Sequence, residues 1–278
     1  MKKSQITYAV WPWGTKTKEQ AAEAARDVTA IGYTTFESVK AAAYAFDLDA
    51  KAYKEFLAPY GLKPVSFYFH LPTVEDPDDF FGNLDAELQF VKDMGVDIVT
   101  LQGTRGRPEG DMTNDEAKKL NLERMIRFAT IAKKYGITTN VHPHVNTFFM
   151  FEDEVDYVME NSSPDVLSLA PDTAHIAAAG ADPVKMIAKY ADRVKFIHLK
   201  DYKLGDSVTS EGWVDSGVPI MTCFHPLGKG TVKFPAILDI LDKAGYTGYL
   251  CIELDCPPDS NAESAKNNYD YLCSLLED

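Results

Sequence analysis

Basic residues are in short supply. The 278-residue chain carries 28 lysines and arginines against 42 aspartates and glutamates, a formal net charge of −14. Such a surface repels phosphate backbones, and the scattered lysines and arginines form no local basic patch, so nucleic acid is not an expected partner. Cysteine is scarce too: Cys223, Cys251, Cys256 and Cys273 all fall in the last quarter, without metal-type or disulfide-type spacing. That pattern speaks against a disulfide framework and for free thiols in a reducing compartment. No apolar run reaches the roughly 18 residues of a membrane span. Residues 1–4 lead into a strand pattern, not an apolar signal-peptide stretch. A cytoplasmic location, away from membranes, is the expectation.

Nor is there a low-complexity linker or charge block to divide the chain, and residues 1–278 read as a single domain. Hydrophobic residues make up 45% of the sequence, enough for a sizeable core. Short β-rich runs alternate with helical patterns throughout, the mark of a parallel sheet with crossover helices. Strands are expected at 6–11, 35–39, 64–70, 97–102, 138–142, 166–170, 194–199 and 249–254. Helices are expected at 18–31, 50–60, 77–94, 115–135, 151–161, 182–190 and 234–244, with a last one at 264–276. Five helices end in glycine (Gly32, Gly61, Gly95, Gly136 and Gly245) and lead straight into a strand, a repeated helix-stop design. An open doubly wound sheet would place a glycine-rich phosphate loop after the first strand. The run Val10-Trp11-Pro12-Trp13-Gly14 is no such loop. The fold expected is therefore an α/β (β/α)8 TIM barrel. Residues 203–230, rich in Gly, Ser, Pro and aromatics, break the rhythm as a long loop after strand seven, of the kind used for lids and binding.

Active sites of such barrels are assembled at strand C-termini and the loops that follow them. Every one of the six histidines meets that rule: His70 ends strand three, His142 and His144 strand five, His175 follows strand six, His198 ends strand seven and His225 lies in the loop beyond it. Asp172 follows strand six, and Glu253 sits in the otherwise apolar strand eight, where a charge is costly unless paired or ligated. Glu37 poses the same question in strand two. Mixed imidazole and carboxylate donors suit Mn, Co, Zn or Fe better than Ca, with Mg also allowed; one divalent ion is expected, with Mn preferred.

The run Ala170-Pro171-Asp172-Thr173-Ala174-His175 resembles the Asp-Thr-x-His element of the xylose-isomerase-like barrel superfamily. Phe196-Ile197-His198-Leu199-Lys200-Asp201 resembles its His-x-Lys-Asp element, His225-Pro226-Leu227-Gly228-Lys229-Gly230 its Gly-x-Gly loop, and Ile252-Glu253 its last-strand glutamate. The four elements run in order along essentially the whole chain. The resemblance implies Asp172, His198 and Glu253 as metal ligands. At the fourth ligand position these families carry a glutamate in a Glu-x-His pattern, whereas this chain reads His142-Pro143-His144, which makes His142 the expected fourth ligand. The resemblance also implies a homo-oligomer, or a hetero-assembly if the chain belongs with the deglycosidases.

The activity so implied is isomerisation or epimerisation of a sugar or keto-polyol by proton transfer through a metal-stabilised enediolate. The runner-up is a lyase of inosose-dehydratase or 3-keto C-glycoside deglycosidase type, which shares the first step; the histidine at strand five moves weight towards it, because elimination can run with one base and a separate acid. An apurinic-endonuclease-like phosphodiesterase and a non-catalytic binding subunit rank lower. Candidate acid–base residues are Glu253, His144 and His175. Candidate substrate contacts are Trp11 and Trp13 by stacking, and Glu37, His70, Lys200, Asp201 and His225 by hydrogen bonding. Lys200 and Asp201 could equally form an internal ion pair. Arg105 and Arg107, after strand four, offer a weaker candidate grip on an anionic group.

Overall fold

The computed structural model describes residues 1–14, 16–75, 78–203 and 223–277. Eight parallel strands form the barrel: β1 (Ile6–Ala9), β2 (Thr35–Val39), β3 (Lys63–His70), β4 (Ile98–Gln102), β5 (Thr138–His142), β6 (Leu167–Leu169), β7 (Ile197–Leu199) and β10 (Leu250–Ile252). Their order is β6-β5-β4-β3-β2-β1-β10-β7. The circle is nearly closed between β6 and β7 by single bridges, Leu169 to Val194 and Asp172 to His198.

The helices are α1 (Lys18–Ile31), α2 (Lys40–Ala45), α3 (Ala50–Leu57), α4 (Asp78–Met94), α5 (Asn114–Lys134), α6 (Glu152–Glu160), α7 (Thr173–Ala178), α8 (Pro183–Lys189), α9 (Phe234–Lys243) and α10 (Asn261–Cys273). Their starts are chemically marked. Thr17 and Thr113 cap α1 and α5 in reciprocal boxes with Gln20 and Glu116. Gly95 and Gly136, at φ of +81° and +73°, make the left-handed turns that return the chain to β4 and β5. Among the described residues no helix is long and apolar enough to cross a membrane.

Four departures from the sequence expectation matter for the site. Residues 11–13 form a 3-10 turn instead of prolonging β1, because Pro12 has no backbone N–H to give a strand ladder. Helix α2 forms directly after β2, and α7 directly after β6; both are short, and neither carries a strong periodic signal. Residues Asp201–Tyr202 (β8) and Phe224–His225 (β9) pair antiparallel as a small ribbon at the mouth. Of the expected long loop 203–230, residues 204–222 lie outside the described residues.

Side chains alternate along each strand, and this barrel puts polar groups on its inner face. Phe67, Phe69, Val99, Leu101 and Val141 join the core shared with the helices. The intervening Ser66, Thr100, Asn140 and His142 are buried inside. Pairing sets His70, Gln102 and His142 side by side across three strands, and Cys251 level with His198. Barrel interiors are ordinarily filled by branched aliphatics. Here the upper layers are given over to a polar network.

Candidate active site

Four residues at the barrel mouth share one design: each has one polar atom tied to the protein and a second left without a hydrogen-bond partner. His142, at the end of β5, places Nδ1 3.0 Å from the Ala170 carbonyl. That contact puts the proton on Nδ1 and leaves a lone pair on Nε2. Asp172 caps α7, its Oδ1 accepting from the N–H groups of Ala174 and His175 at 2.8 Å each; Oδ2 is left over. His198, in β7, places Nε2 2.6 Å from Oε2 of Glu37 and presents Nδ1. Glu253, just past β10, accepts from Lys200 on Oε1 at 2.7 Å and presents Oε2.

Among the described residues the leftover atoms, His142 Nε2, Asp172 Oδ2, His198 Nδ1 and Glu253 Oε2, are buried without a hydrogen bond, though Asp172 Oδ2 also lies 3.3 Å from the Lys200 ammonium, and these residues offer ligand atoms within 4.8 Å of one another. Asp172 Oδ2 lies 4.0 Å from His142 Nε2 and 3.9 Å from His198 Nδ1. His198 Nδ1 and Glu253 Oε2 approach to 2.6 Å but are not aligned as donor and acceptor. Polar atoms buried this close together without hydrogen bonds are costly unless a cation lies among them. Tetrahedral bonds of ~2.1 Å would space such donors by about 3.4 Å, within the range seen. The donor set therefore fits one divalent ion of the imidazole–carboxylate class.

Electrostatics distinguish the two histidines of the metal-free site. Burial, with help from His198, His144 and Lys200, lowers the His142 pKa well below the ordinary imidazole range, so it is neutral and able to ligate. Burial works against a charged His198, but Glu37, Cys251 and Glu253 outweigh it and hold its pKa well above the usual value, so a cation bound at Nδ1 must displace a proton held there in the metal-free site. Burial raises the Asp172 pKa against the opposing pull of Lys200. Lys200 is itself fully buried and lies within 3.3 Å of Asp172, 2.7 Å of Glu253 and 2.7 Å of Asp255; these carboxylates overcome burial and keep its pKa above that of an ordinary lysine.

Beside Glu253 opens a cleft of about 300 Å³, the size class of a small-molecule site. Trp11 stands on one side with its ring 5.1 Å from that of Tyr68 and 5.7 Å from His198. Glu253 and Asp255 also border the cleft, as do His70, Gln102, Arg105 and His144. His144 is pinned by its loop: its N–H donates to the Phe149 carbonyl, its carbonyl accepts from Thr147 Oγ1 at 2.7 Å, and Asn146 takes the left-handed conformation at φ +63°. Its Nδ1 lies 2.7 Å from the Val145 carbonyl, which fixes the proton there and leaves Nε2 as an acceptor. Burial first, then Lys200, push the His144 pKa down to about 4. Burial, with His144, Arg105 and Lys40, takes His70 to about 3.

Other expected site residues lie elsewhere. Trp13 is not a stacking platform: it is buried against Tyr8 and donates its indole N–H to Asp27 of α1 at 2.7 Å. Glu37 is sealed inside the barrel, accepting from Ser66 at 2.8 Å and Thr100 at 2.5 Å besides facing His198. Asp201 holds the loop after β9, accepting from the N–H groups of Gly230 and Val232. Gly230 is needed there, since a Cβ would come within 2.3 Å of that carboxylate. His175 is buried, is not among the residues bordering the cleft, and has Nε2 3.0 Å from Lys200. His225 joins the ribbon and is not among the residues bordering the cleft. Of the two arginines, Arg107 is occupied by Glu154 at 2.6 Å, whereas Arg105 borders the cleft. Sequence reasoning missed Asp255 and Tyr68. The inward alternation Ser66-Tyr68-His70 could have flagged Tyr68; Asp255, in a Pro-rich loop, carries no such signal.

Comparison with known proteins settles the family. A family model described as xylose isomerase-like TIM barrel matches residues 25–275. The chain belongs to that family. An inosose dehydratase of Mesomycoplasma hyopneumoniae is 28% identical over 247 residues, covering 83% of this chain and 82% of the relative. Among solved structures, the IOLI protein with a bound zinc atom superposes with a TM-score of 0.75 at 15% identity, over 98% of both chains. A xylose isomerase-like TIM barrel protein of Mycobacterium smegmatis in complex with magnesium gives 0.75 at 18% identity, over 99% of this chain and 98% of that one. This xylose isomerase-like barrel thus has relatives that are enzymes and neighbours that bind divalent metals.

Proposed function

We propose that the protein is a metal-dependent lyase that removes a proton beside the carbonyl of a keto-polyol or keto-sugar and expels a hydroxyl from the next carbon. The observation that carries this reading is the closeness, among the described residues, of four buried donor atoms without hydrogen bonds, from His142, Asp172, His198 and Glu253, the last of which borders a small cleft. A divalent cation held by them supplies Lewis-acid polarisation of the substrate carbonyl. Trp11 and Tyr68 offer apolar ring faces to the C–H side of a sugar or cyclitol ring. His144 is neutral at physiological pH, and its Nε2, free to face the cleft, accepts the proton and returns it to the departing hydroxyl. Glu253 acts chiefly as a ligand, with one oxygen on Lys200, and Asp255 takes the place expected for His175 as a further polar group on the reacting side.

Elimination is favoured over isomerisation by two observations. The relatives that match over most of their length are inosose dehydratases, and strand five offers His142 and His144 where a second carboxylate base would stand. The test is a screen of keto-inositols and keto-sugars with metal-loaded protein in D2O, followed by NMR and mass spectrometry. The reading expects deuterium beside the carbonyl and a product lighter by one water, both lost in His144→Gln. An isomeric product of unchanged mass would favour the epimerase alternative; no exchange with any keto-polyol or keto-sugar would overturn both.

A further inference from the structure

Beside the four convergent atoms lies a second group with ligand spacing: His175, Glu253 and Asp255. Glu253 belongs to both groups. Its Oε2 faces the first, and its Oε1 accepts from the Lys200 ammonium at 2.7 Å. Asp255 Oδ2 lies 2.7 Å, His175 Nε2 3.0 Å and Asp172 Oδ2 3.3 Å from the same nitrogen. A carboxylate bridging two cationic positions is the arrangement of two-metal centres, whose ions stand about 3.5–4 Å apart. Here one of the two positions is filled by a side chain.

The lysine is built into that position. Its backbone N–H donates to Thr173 Oγ1 at 3.0 Å, and its carbonyl accepts from the same hydroxyl at 2.6 Å. The ammonium is wholly buried and lies 4.5 Å from the Phe224 ring centre, with no route to solvent of the kind lysines ordinarily keep. The charges match as well. Three carboxylates, Asp172, Glu253 and Asp255, surround the double centre, and one dication together with one ammonium neutralises them.

We propose that the Lys200 ammonium takes the place of a second divalent cation and restricts this centre to a single metal ion. The inference rests on the cation site proposed above, but it concerns the difference in stoichiometry between variants, so the two can fail separately. The probe is Mn2+ alone, added to the 278-residue chain and read by isothermal titration, by metal content after gel filtration, and by electron paramagnetic resonance. The wild-type chain should bind one equivalent. Lys200→Ala should bind two, the pair showing the exchange-broadened spectrum of close manganese ions. Lys200→Arg, which keeps the charge, should bind no more than one, and Lys200→Ala/His175→Ala should return to one. Should Lys200→Ala not fold alone, refolding in millimolar Mn2+ should restore it. The proposal is overturned if Lys200→Ala takes up no more metal than the wild-type chain, if its extra equivalent survives loss of His175, or if Mn2+ fails to rescue an unfolded variant. A wild-type chain that binds no metal would instead defeat the cation site itself.

Discussion

Glu37 and His198 are 161 residues apart in sequence and 2.6 Å apart inside the barrel, carboxylate oxygen to imidazole Nε2. The contact fixes which nitrogen of His198 is free, and Ser66 and Thr100 in turn fix Glu37. A carboxylate behind a ligating histidine orients the ring and raises its basicity. Glu37→Gln keeps the size of the side chain and removes its charge, so metal affinity should fall by about 10–100-fold with the far-ultraviolet circular dichroism unchanged. Affinity equal to wild type in a calorimetric titration would mean that Glu37 merely fills the barrel.

Metal removal should cost stability through the same four atoms. At a free metal concentration 100 times its Kd, binding adds about 2.7 kcal/mol to the folded state. Chelation should therefore lower the wild-type melting temperature clearly. Asp172→Asn can still cap α7 through its side-chain oxygen but has no carboxylate to offer, so it should respond to chelator far less. Equal responses in the two proteins would remove Asp172 from the ligand set.

The histidines set a pH dependence for the metal-free protein. His70, His142, His144 and His175 all have folded pKa values below the ordinary imidazole value of 6.5, to about 3 for His70 and about 4 for His144. The unfolded chain binds protons that the folded chain refuses, so their contribution is fully present above pH 6.5 and is lost as the pH falls towards the folded values. His198 works in the opposite sense, since its raised value favours the folded state at low pH and loses that effect as the pH rises. Four groups oppose one. Calorimetric melting in chelator should show the midpoint falling between pH 6.5 and 5, above the range where ordinary carboxylates titrate, and His144→Asn should flatten the fall. A midpoint constant over that window would count against neutral buried imidazoles.

The positions of the strands were readable because their apolar runs are bounded by glycine turns, and the histidines marked one end of the barrel. Direction was harder to read. Glu37 and Trp13 sit near the mouth in sequence, but period two turns Glu37 inward under His198, and the 3-10 turn at Pro12 swings Trp13 onto α1. The helices α2 and α7 have six residues each, too few for a periodic pattern. Asp255 acquires its meaning only from Lys200, a contact between two segments that sequence order does not bring together. The ring-nitrogen assignments that make four leftover atoms meet depend on three-dimensional contacts alone.

Arg107 and Glu154 brace the loops that carry His144. Two hydrogen bonds join them, at 2.6 and 3.0 Å, and Arg107 also donates to the Thr147 carbonyl, while Glu154 accepts from the Met150 and Phe151 N–H groups. Arg107→Ala would strand a nearly buried carboxylate. Since the arginine is one-fifth exposed, the cost should lie at the low end for broken buried pairs, about 3 kcal/mol, measured by urea unfolding. A loss below about 0.5 kcal/mol would place the pair with ordinary surface bridges.

The most direct examination of the central claim is X-ray absorption at the zinc edge on protein loaded with one equivalent of Zn2+. Two imidazoles, from His142 and His198, and carboxylate oxygens from Asp172 and Glu253 should appear at about 2.0–2.2 Å, with the multiple-scattering pattern of two histidine rings reduced to one in His142→Ala. A shell of oxygens alone, or a wild-type spectrum unchanged by that substitution, would contradict it.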